Sequence, residues 1–424
     1  MFEKYDAYKD SELPSFGSVP IHWEIVPLCS ITTLKSITNV VNEELLSVYL
    51  DKGVIRFDDV TEKRTNVTSL DLSKYQLVEE GDFVLNNQQA WRGSVGVSIY
   101  RGIVSPAYLV LKLSPKVDAK FANYFFRNSA MVSQYLINSK GVGTIQRNLY
   151  WQHLKRSDVV LPPREEQIEI AEFLNQKTAE IDQAIAIKEQ QIALLNERKQ
   201  IVIQKAVTQG LDPNVTMKNS GVEWIGQIPE HWEIIRSKFL FTQRKENSRK
   251  DDVQLSATQA YGVIPQEEYE KRTGKSVVKI SLHLDKRKRV HLNDFVISMR
   301  SFQGGLERAW AEGCIRSSYV VLKPLKPIDP DYYGYLFKTP MYIKALQNTS
   351  NFIRDGQDLN FGNFSQVDLF IVPLSEQKQI VEYIKSQLGD FEKHLELLNQ
   401  QIEKLKEYKT ILINDAVTGK IKVA

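Results

Sequence analysis

The sequence is poor in cysteine and has no long apolar run. Its 424 residues include only two cysteines, Cys29 and Cys314, which lie far apart in unrelated contexts. This spacing excludes a disulfide framework and fits a reducing compartment. No apolar run approaches the roughly 20 residues that a helix needs to cross a bilayer. The N-terminal stretch MFEKYDAYKD also lacks the apolar core of a signal peptide. The sequence therefore predicts a cytoplasmic protein.

Net charge is nearly absent as well. The chain has 55 Lys and Arg residues against 52 Asp and Glu residues, which leaves a formal charge of +3. Any surface for nucleic acid must therefore come from local segregation of charge. The apolar fraction of 42% and the charged fraction of 25% are those of an ordinary globular protein. A chain of this length is expected to form about two or three domains.

Catalytic and cofactor motifs are missing. The sequence TGKS at Thr273–Ser276 imitates the end of a P-loop, but Tyr269 stands where the first glycine is required. The six histidines do not cluster at metal-ligand spacing, and no glycine-rich cofactor turn opens a βαβ unit. We therefore predict that this chain carries no catalytic, cofactor-binding or metal-binding residue of its own.

What the sequence does contain is a long internal repeat. VPIHWEIVPL at Val19–Leu28 returns as IPEHWEIIRS at Ile228–Ser237. Further matches follow at an offset that drifts only between 209 and 212, which indicates a tandem duplication of about 210 residues, too long for a solenoid repeat. The later matches are Asp82–Val84 with Asp294–Val296, Tyr108 with Tyr319, Val110–Lys112 with Val321–Lys323, Glu166-Gln167 with Glu376-Gln377, and Ala206–Thr208 with Ala416–Thr418.

Each copy begins with a mixed region and ends with a long helix. Short β-branched runs separated by Gly- and Asn-bearing turns predict strands, and helical stretches are expected at Phe121–Leu136 and Tyr332–Leu346. The predicted fold class is α+β, with two duplicated mixed α/β domains separated by two long helices. The expected domains are residues 1–160 and 211–372, with spacer helices over residues 161–210 and 373–424.

The two predicted helices share one heptad frame. Apolar residues recur at 3-4 spacing across five heptads, which is typical of a coiled-coil seam, and the closest partner for each seam is the other one. We therefore predict an antiparallel coiled coil, with a break or kink at Gly389-Asp390 as an open alternative. The a and d positions are Ala171, Leu174, Thr178, Ile181, Ile185, Lys188, Ile192, Leu195, Lys199, Val202 and Ala206, then Val381, Ile384, Leu388, Phe391, Leu395, Leu398, Ile402, Leu405, Lys409, Leu412 and Ala416.

Two polar features of the repeat have a structural and a functional interpretation. Lys199 and Lys409 occupy equivalent a positions, where a lysine either fixes the register or lays its stem along the seam with its ammonium in solvent. The second interpretation is favoured. His22 and His231 precede Trp-Glu in both copies and are interpreted as structural rather than catalytic, and Trp23 and Trp232 as core anchors.

The copies diverge in loops rich in Asn, Gln and Arg. Asn and Gln can pair with adenine and Arg with guanine, so different polar tips on one scaffold are expected of two readers of two DNA sequences. Basic residues nearby are candidates for phosphate contacts. The candidate DNA-binding residues are Asn87, Gln88, Gln89, Arg92, Lys140, Thr144, Gln146, Arg147, Lys271, Arg272, Lys275, Lys286, Arg287, Lys288, Arg300, Ser301, Gln303, Arg308 and Arg354, with Arg289 completing the basic run from Lys286.

On these motifs the chain resembles the specificity subunits of type I restriction-modification systems over its whole length. The resemblance rests on the two G-x-[VI]-P-x-HWE segments, the Glu-Gln helix starts and the duplication itself. Two departures concern the packing of these segments. Ser15 stands where the second copy has Trp224, and Val372 stands where the first has Pro162.

The resemblance implies two target-recognition domains, each reading one half of a bipartite DNA site, with the coiled coil setting the spacing. It implies two modification subunits, which bring S-adenosylmethionine and methylate adenine. Two restriction subunits, which bring ATP and Mg²⁺, are also implied. The half-sites would be centred about one turn of B-DNA apart, roughly 34 Å. Changing Arg92 or Arg308 is then expected to relax one half-site only, and removing a heptad to alter the gap.

A rival interpretation keeps the architecture without DNA readout. Two globules on a coiled coil could be a scaffold that bridges other proteins, and the near-neutral charge is compatible with it. The divergent Gln, Arg and Asn tips favour DNA. A self-contained nuclease or methyltransferase is disfavoured because no carboxylate cluster or cofactor loop supports it.

Overall fold

A computed structural model of the chain describes residues 2–50, 52–59, 71–142, 146–278, 286–298, 300–349 and 359–423. The chain divides into two compact units, Met1–Lys188 with Asn399–Ala424, and Glu189–Leu398. We call the globule before the first long helix domain 1 and the globule between the two long helices domain 2. Each unit holds one domain together with segments of both long helices.

Domain 1 is built from short strands and four short helices. The four helices are α1 (Leu28–Ile31), α2 (Ala119–Phe125), α3 (Ser129–Ile137) and α4 (Trp151–Leu154), and 3-10 turns lie at Phe57–Asp59 and Ala90–Arg92. The strands are β1 (Tyr8–Asp10), β2 (Ser18–Pro20), β3 (Glu24–Pro27), β4 (Thr32–Lys35), β5 (Leu46–Tyr49), β6 (Gly53–Arg56), β7 (Gln76–Val78), β8 (Phe83–Asn86), β9 (Val95–Val97), β10 (Gly102–Val104), β11 (Tyr108–Leu113), β12 (Ser139–Val142), β13 (Gln146–Leu149) and β14 (Asp158–Leu161).

A four-stranded antiparallel sheet organises domain 1, with strand order β4-β11-β8-β9. Leu111 pairs with both Phe83 and Leu34 across this sheet. Phe83 stacks on Phe126 with ring centroids 4.1 Å apart, so one face of the sheet packs on the segment between α2 and α3. Smaller antiparallel pairs surround the sheet, including β14 with β3, β5 with β6, and β10 with β7.

Domain 2 repeats this topology. Its central sheet has the order β18-β25-β22-β23, and β17 pairs with β26 as β3 pairs with β14. The first long helix, α5 (Arg164–Gln209), precedes it and the second, α11 (Leu374–Val417), follows it. Its elements are β15 (Met217–Asn219), β16 (Gln227–Pro229), β17 (Glu233–Arg236), a 3-10 turn (Ser237–Phe239), β18 (Phe241–Gln243), β19 (Leu255–Thr258), β20 (Gly262–Pro265), α6 (Gln266–Thr273), β21 (Lys288–Val290), β22 (Phe295–Ile297), α7 (Ser301–Gly304), β23 (Glu307–Arg308), β24 (Gly313–Ile315), β25 (Val320–Pro324), α8 (Pro330–Leu336), α9 (Pro340–Asn348), α10 (Phe361–Gln366) and β26 (Asp368–Ile371).

Each predicted helical stretch after the last sheet strand is in fact two helices. In domain 1 the Asn128 side chain caps α3 by accepting from the backbone N–H of Met131. In domain 2 Thr339 caps α9 in the same way, and Pro340 occupies its first turn. Ser, Thr and Asn are the side chains that satisfy the free N–H groups of a helix start, and proline is tolerated there. The cap residue inside each stretch therefore ends one helix and begins the next.

The long helices have the heptad pattern that the sequence predicts. All 22 a and d residues are buried or half-buried, whereas the charged residues between them are mostly exposed. Helix α11 continues without a break through Gly389. The predicted fold class, two mixed α/β copies with two long coiled-coil helices, is confirmed.

Within each unit the two helices run in opposite directions. In the first unit, Glu166 at the start of α5 binds Trp23, against which Gly419 packs just beyond the end of α11. Further along, Asp182 pairs with Lys409 at 2.7 Å. In the second unit, Gly210 just beyond the end of α5 lies against Glu376 in the first turn of α11.

The two seam lysines differ. The Lys409 ammonium binds both carboxylate oxygens of Asp182, so it forms an ion pair between helices rather than facing solvent alone. Lys199 is half-buried, and its ammonium has no recorded partner within the described ranges. The solvent-facing interpretation therefore fits Lys199 but not Lys409. Among the described residues, no helix is long and apolar enough to cross a membrane.

Candidate DNA-recognition site

A joint at the start of each long helix explains the repeated HWE and Glu-Gln motifs. In domain 1, His22 Nε2 lies 2.8 Å from Glu166 Oε2, and Trp23 Nε1 donates to Glu166 Oε1 at 3.1 Å. The Tyr5 hydroxyl donates to the same carboxylate. Gln167 accepts from the backbone N–H of Asp118 and donates to the carbonyl of Pro162. The four motif residues thus fasten α5 to its domain.

Domain 2 builds the same joint. His231 Nε2 lies 2.8 Å from Glu376 Oε2, and Trp232 Nε1 donates to that oxygen at 3.1 Å. Gln377 accepts from the backbone N–H of Asp329 at 2.7 Å. Both tryptophans are fully buried. These contacts agree with the structural interpretation of the histidines, because Nε2 of each ring is bound to the carboxylate that holds the long helix.

In domain 1 the candidate residues gather around a tryptophan that the sequence reading missed. The Arg92 guanidinium lies 4.7 Å from the centroid of the Trp91 ring, and that of Arg147 lies 5.9 Å from it. Trp91 Nε1 donates to the carbonyl of Gln88, so the indole is fixed at the loop tip. We call Trp91, Arg92, Arg147 and Gln88 the domain 1 tip. Sequence spacing alone could not show that both guanidinium groups lie near one indole, because Arg147 is 56 residues from Trp91.

The other domain 1 candidates fall into three groups. Lys140 is exposed on β12, opposite Asn148 of β13. Asn87 and Gln89 are half-buried, and Asn87 Oδ1 is buried without a hydrogen-bond partner among the described residues. Thr144 and the side chain of Gln146 lie outside the described residues.

In domain 2 the candidates line a cleft of about 1040 Å³. Arg300 and Gln303 lie on its rim, and the sequence reading missed Gln259 and Arg316 beside them. All four are exposed. Arg287 lines the cleft from a buried position, with only 5% of its surface exposed. Gln259 lies in the turn of the β19-β20 hairpin and Arg316 directly after β24, and both are far in sequence from Arg287, so only the fold brings them to one cleft.

Two domain 2 candidates have structural partners instead. Ser301 is 1% exposed, and its hydroxyl accepts from the backbone N–H of Ser298 at 2.8 Å. Arg308 donates twice to Asn293 Oδ1, pairs with Asp331 and lies 4.2 Å from the centroid of the Trp310 ring. Neither side chain is free to reach a base edge without breaking these contacts. The assignment of Ser301 and Arg308 to DNA stays a prediction, and both side chains have partners within the domain in this structure.

The basic run Lys286–Arg289 is mostly turned inward. Lys288 Nζ donates to the carbonyl of Tyr319 at 2.5 Å, and burial lowers the pKa of its ammonium. The equivalent hydrogen bond in domain 1 joins Gln76 Nε2 to the carbonyl of Tyr108, so a neutral amide makes there the contact that the ammonium makes in domain 2. Arg289 is 9% exposed and pairs with Asp252 at 3.3 Å. Lys286 is the exposed residue of this run, and the assignment of the run to phosphate contacts stays a prediction.

The remaining basic candidates surround α6. Lys271 is exposed, whereas Arg272 pairs with Glu268 and lies 5.1 Å from the centroid of the Tyr261 ring. Lys275 follows Gly274, which ends the helix with a φ of 67°. The TGKS stretch therefore terminates a helix, whereas a P-loop begins one. Arg354 lies outside the described residues.

Metal-ligand geometry is absent from the described part of the chain. No group of three or more His, Cys, Asp or Glu side chains there is placed to hold a metal ion. The nearest approach to a cluster is at His291, whose Nε2 lies 2.8 Å from Glu246 Oε2. Arg289 and Arg244 pair with that same Glu246, so its negative charge is already compensated.

Comparisons with known proteins agree with this architecture. A family model for the type I restriction modification DNA specificity domain matches residues 20–197 and again residues 229–407. Two curated relatives come from Methanocaldococcus jannaschii. The type I restriction enzyme MjaVIII specificity subunit is 24% identical over 437 residues, covering 96% of this chain and 94% of its own length. The MjaX specificity subunit is 23% identical over 449 residues, covering 100% of this chain and 98% of its own length.

Solved structures share the fold. A chain from a type I R-M system, solved to explain complex assembly and conformational transition, has a TM-score of 0.63 at 14% identity and covers 94% of this chain and 98% of its own. The HsdS subunit from Thermoanaerobacter tengcongensis has a TM-score of 0.52 at 14% identity and covers 95% of this chain and 98% of its own. With both halves matched by one family model, the chain belongs to the family of type I restriction-modification specificity subunits.

Proposed function

We propose that each domain reads one half of a bipartite DNA site and that the two long helices set the gap between the halves. The observation that carries this proposal is one scaffold with two different polar surfaces. The joints and the central sheets repeat almost bond for bond, whereas the exposed side chains at equivalent loop positions differ. A duplicated scaffold needs no such divergence for its stability, but reading two unlike half-sites does require it.

The chemistry at the two surfaces suits base edges. Domain 1 presents guanidinium groups against an indole, and domain 2 presents guanidinium and amide groups around a cleft. Arg is the commonest specific partner of guanine, and Gln pairs bidentately with adenine. This chemistry and the membership of the family support the proposal of a bipartite site.

Partner subunits belong to the same proposal. We expect two modification subunits that bring S-adenosylmethionine and methylate adenine, and two restriction subunits that bring ATP, Mg²⁺ and cleavage, so this chain itself binds no cofactor. The long helices offer apolar surface for such partners. Leu194 and Ile201 of α5 are each 56% exposed, and Ile411 of α11 is 49% exposed. Leu194 and Ile201 share one face of α5 at seven-residue spacing, and exposed apolar residues that form such a stripe are typical of contact sites.

The test replaces Arg92 by alanine in the complex with modification subunits and maps methylated motifs by sequencing. We expect one half of the motif to relax while the other half stays unchanged, because only the domain 1 tip is altered. Arg156→Ala is the matched control, since Arg156 is an exposed arginine of domain 1 outside the tip. Simultaneous loss of both halves would contradict separate readers. Equal binding of random and bipartite duplexes by the wild-type complex would favour the scaffold alternative.

The gap is tested by removing one heptad from each long helix, residues 188–194 and their repeat equivalents 398–404. Seven residues shorten a helix by about 10.5 Å, at a rise of about 1.5 Å per residue. This length corresponds to about three base pairs at roughly 3.4 Å each. We expect both half-sites to persist with a gap about three base pairs shorter. An unchanged gap would exclude the helices as the spacing device.

A further inference from the structure

The cleft of domain 2 has a chemistry that the fold does not require. At the rim, Arg316 follows β24, and the equivalent residue after β10 in domain 1 is Ser105. Ser105 accepts a turn hydrogen bond from the backbone N–H of Ala107 through its hydroxyl. Arg316 is exposed, and its guanidinium forms no hydrogen bond or ion pair within the described residues. The residue that follows this strand is therefore a neutral serine in domain 1 and, in domain 2, an arginine without a partner among the described residues.

Gln259, also at the cleft, repeats this contrast. It follows the strand end of β19, where domain 1 has the exposed apolar residue Leu50. Its side-chain amide donates to the carbonyl of Arg300 at 3.4 Å, which holds it against the start of α7. Gly304 permits this approach, because a Cβ there would lie 2.6 Å from Gln259 Nε2. The rim residues Arg300, Gln303 and Gln259 are therefore arranged together rather than scattered.

The floor of the cleft holds an incompletely bonded cation. Arg287 is 5% exposed and donates to the carbonyl of Cys314 at 3.4 Å, while its Nε is buried without a partner in the described part of the chain. A buried donor without an acceptor is costly, so a ligand that brings acceptors into the cleft is favoured. A ligand with positive charge or only donor groups is disfavoured for the same reason.

We infer that this cleft is a guanine-reading site, in which Arg316 is a specificity-determining residue that presents paired N–H groups to N7 and O6 of one guanine. The inference rests on the proposed function, since it assigns residues to the second half-site. Guanine carries two acceptors side by side in the major groove, and a guanidinium matches them with two parallel donors. Arg300 is the second rim cation, and the amides of Gln259 and Gln303 are placed to contact the neighbouring base pair.

The experiment measures binding of the complex with modification subunits to duplexes that carry the motif found for the wild type. Each guanine of the second half-site is replaced in turn by 7-deazaguanine, which pairs normally but lacks the N7 acceptor. We expect wild-type affinity to fall about tenfold at one guanine. Arg316→Ala should bind the normal and the substituted duplex equally. Arg249→Ala, which removes an exposed arginine outside the cleft, should keep the tenfold preference.

Other outcomes overturn the inference. If Arg316→Ala weakens every duplex equally and the salt dependence of binding falls by about one ion, Arg316 contacts a phosphate. If the variant keeps the preference for normal guanine, the reader lies elsewhere. Sensitivity to the first half-site, measured on the same samples, reports that the complex is folded and assembled. A wild-type complex without any bipartite preference would instead refute the proposed function itself.

Discussion

The two domains hold their long helices by different chemistry at equivalent positions. In domain 1 the Tyr124 hydroxyl donates to Asn175 of α5 at 2.8 Å, a contact between neutral groups. The repeat equivalent of Asn175 is Lys385 of α11, whose ammonium pairs with Asp331 of domain 2 at 2.8 Å. Asp331 in turn pairs with Arg308 of β23, the edge strand that follows α7. Duplication has preserved the attachment point while replacing a neutral bond by a charged one.

This difference teaches that attachment and recognition have diverged together in domain 2. The Arg308-Asp331-Lys385 chain links the sheet edge beside the cleft to the long helix, so part of the polarity expected to face DNA serves to orient the domain. Domain 1 keeps its tip arginines free of such ion pairs among the described residues. Salt and pH should consequently act on the two units unequally.

The largest expected effect is at the joints. Glu166→Ala removes the acceptor of Trp23, His22 and Tyr5, whereas Glu376→Ala removes the acceptor of two side chains only. Leaving a buried donor unpaired costs about 1–3 kcal/mol, which applies to the buried tryptophans, whereas the two histidines are 46% and 47% exposed and can bond to water instead. We therefore expect Glu166→Ala to destabilise its unit by about 3 kcal/mol and Glu376→Ala by less. Hydrogen exchange read by mass spectrometry, unit by unit, measures both. Equal loss of protection would show that the third donor adds nothing.

The glycines that follow the long helices should give the next effect. Gly419 has a φ of 73°, and a Cβ there would lie 2.4 Å from Pro20 Cδ. Gly210 has a φ of 76°, but its nearest contact would be the flexible Glu376 carboxylate at 3.1 Å. Both alanine variants carry the backbone cost of the left-handed region, about 1–2 kcal/mol. Gly419→Ala adds a clash, so its thermal transition should fall further than that of Gly210→Ala. The reverse order would contradict the closer packing of Gly419 against Pro20 in the first unit.

The charged attachment predicts an acid sensitivity around α8 of domain 2. Burial tends to raise the pKa of the Asp331 carboxyl, but hydrogen bonds from Lys385 and Arg308 outweigh it and hold that pKa below its usual value. A lowered pKa stabilises the folded state above the unfolded Asp pKa of about 3.9 and ceases to do so as pH falls through the lower folded value. Exchange protection around α8 should therefore decline below about pH 4.

Asp331→Asn should remove that acid response and lower stability at neutral pH by about 2 kcal/mol, because two cations lose their partner. Asn175→Ala removes the neutral attachment in the first unit and should cost about 1 kcal/mol with no dependence on pH in this range. An identical pH profile for wild type and Asp331→Asn would assign the acid response to another group.

The smallest effect concerns the seam lysines. Lys409→Gln breaks the ion pair with Asp182, which is 59% exposed, so we expect a loss of about 0.5 kcal/mol that disappears at high salt. Lys199→Gln breaks no recorded pair within the described residues and should be neutral. Thermal melting at two salt concentrations distinguishes the variants. A salt-independent loss at Lys409 would mean that its stem, rather than its charge, supports the seam.

The repeat, the heptads and the role of the HWE motif could be predicted because they are periodic or duplicated in the sequence. The a and d residues are buried as expected, and the paired Trp and Glu residues meet in both copies. The candidate sites were harder, because exposure depends on distant partners. Asp331, which pairs with Arg308, is 23 residues away, and Tyr319, which receives Lys288, is 31 residues away.

The residues that were missed in the sequence also depend on partners that are distant in the chain. Trp91 becomes a candidate because Arg147 lies against it, and Arg316 because it lines one cleft with Arg287 and Gln259. Nothing in the local sequence distinguishes an arginine that is paired from one that is free. A comparison of the two folded copies does reveal a paired residue. Gln76 and Lys288 occupy equivalent positions, and each donates a hydrogen bond to the carbonyl of the equivalent tyrosine.

The hydrophobic core of domain 1 includes Leu412, Ala416 and Val417 from the last turns of α11. The ribosome therefore exposes nearly the whole chain before the first globule can complete its interior, whereas residues 189–398 form a contiguous unit that is finished earlier. Contacts between such distant parts of a chain slow folding because a long loop must close first. During synthesis the second globule should fold before the first. A nascent chain released early would leave the core of the first globule exposed and available to chaperones.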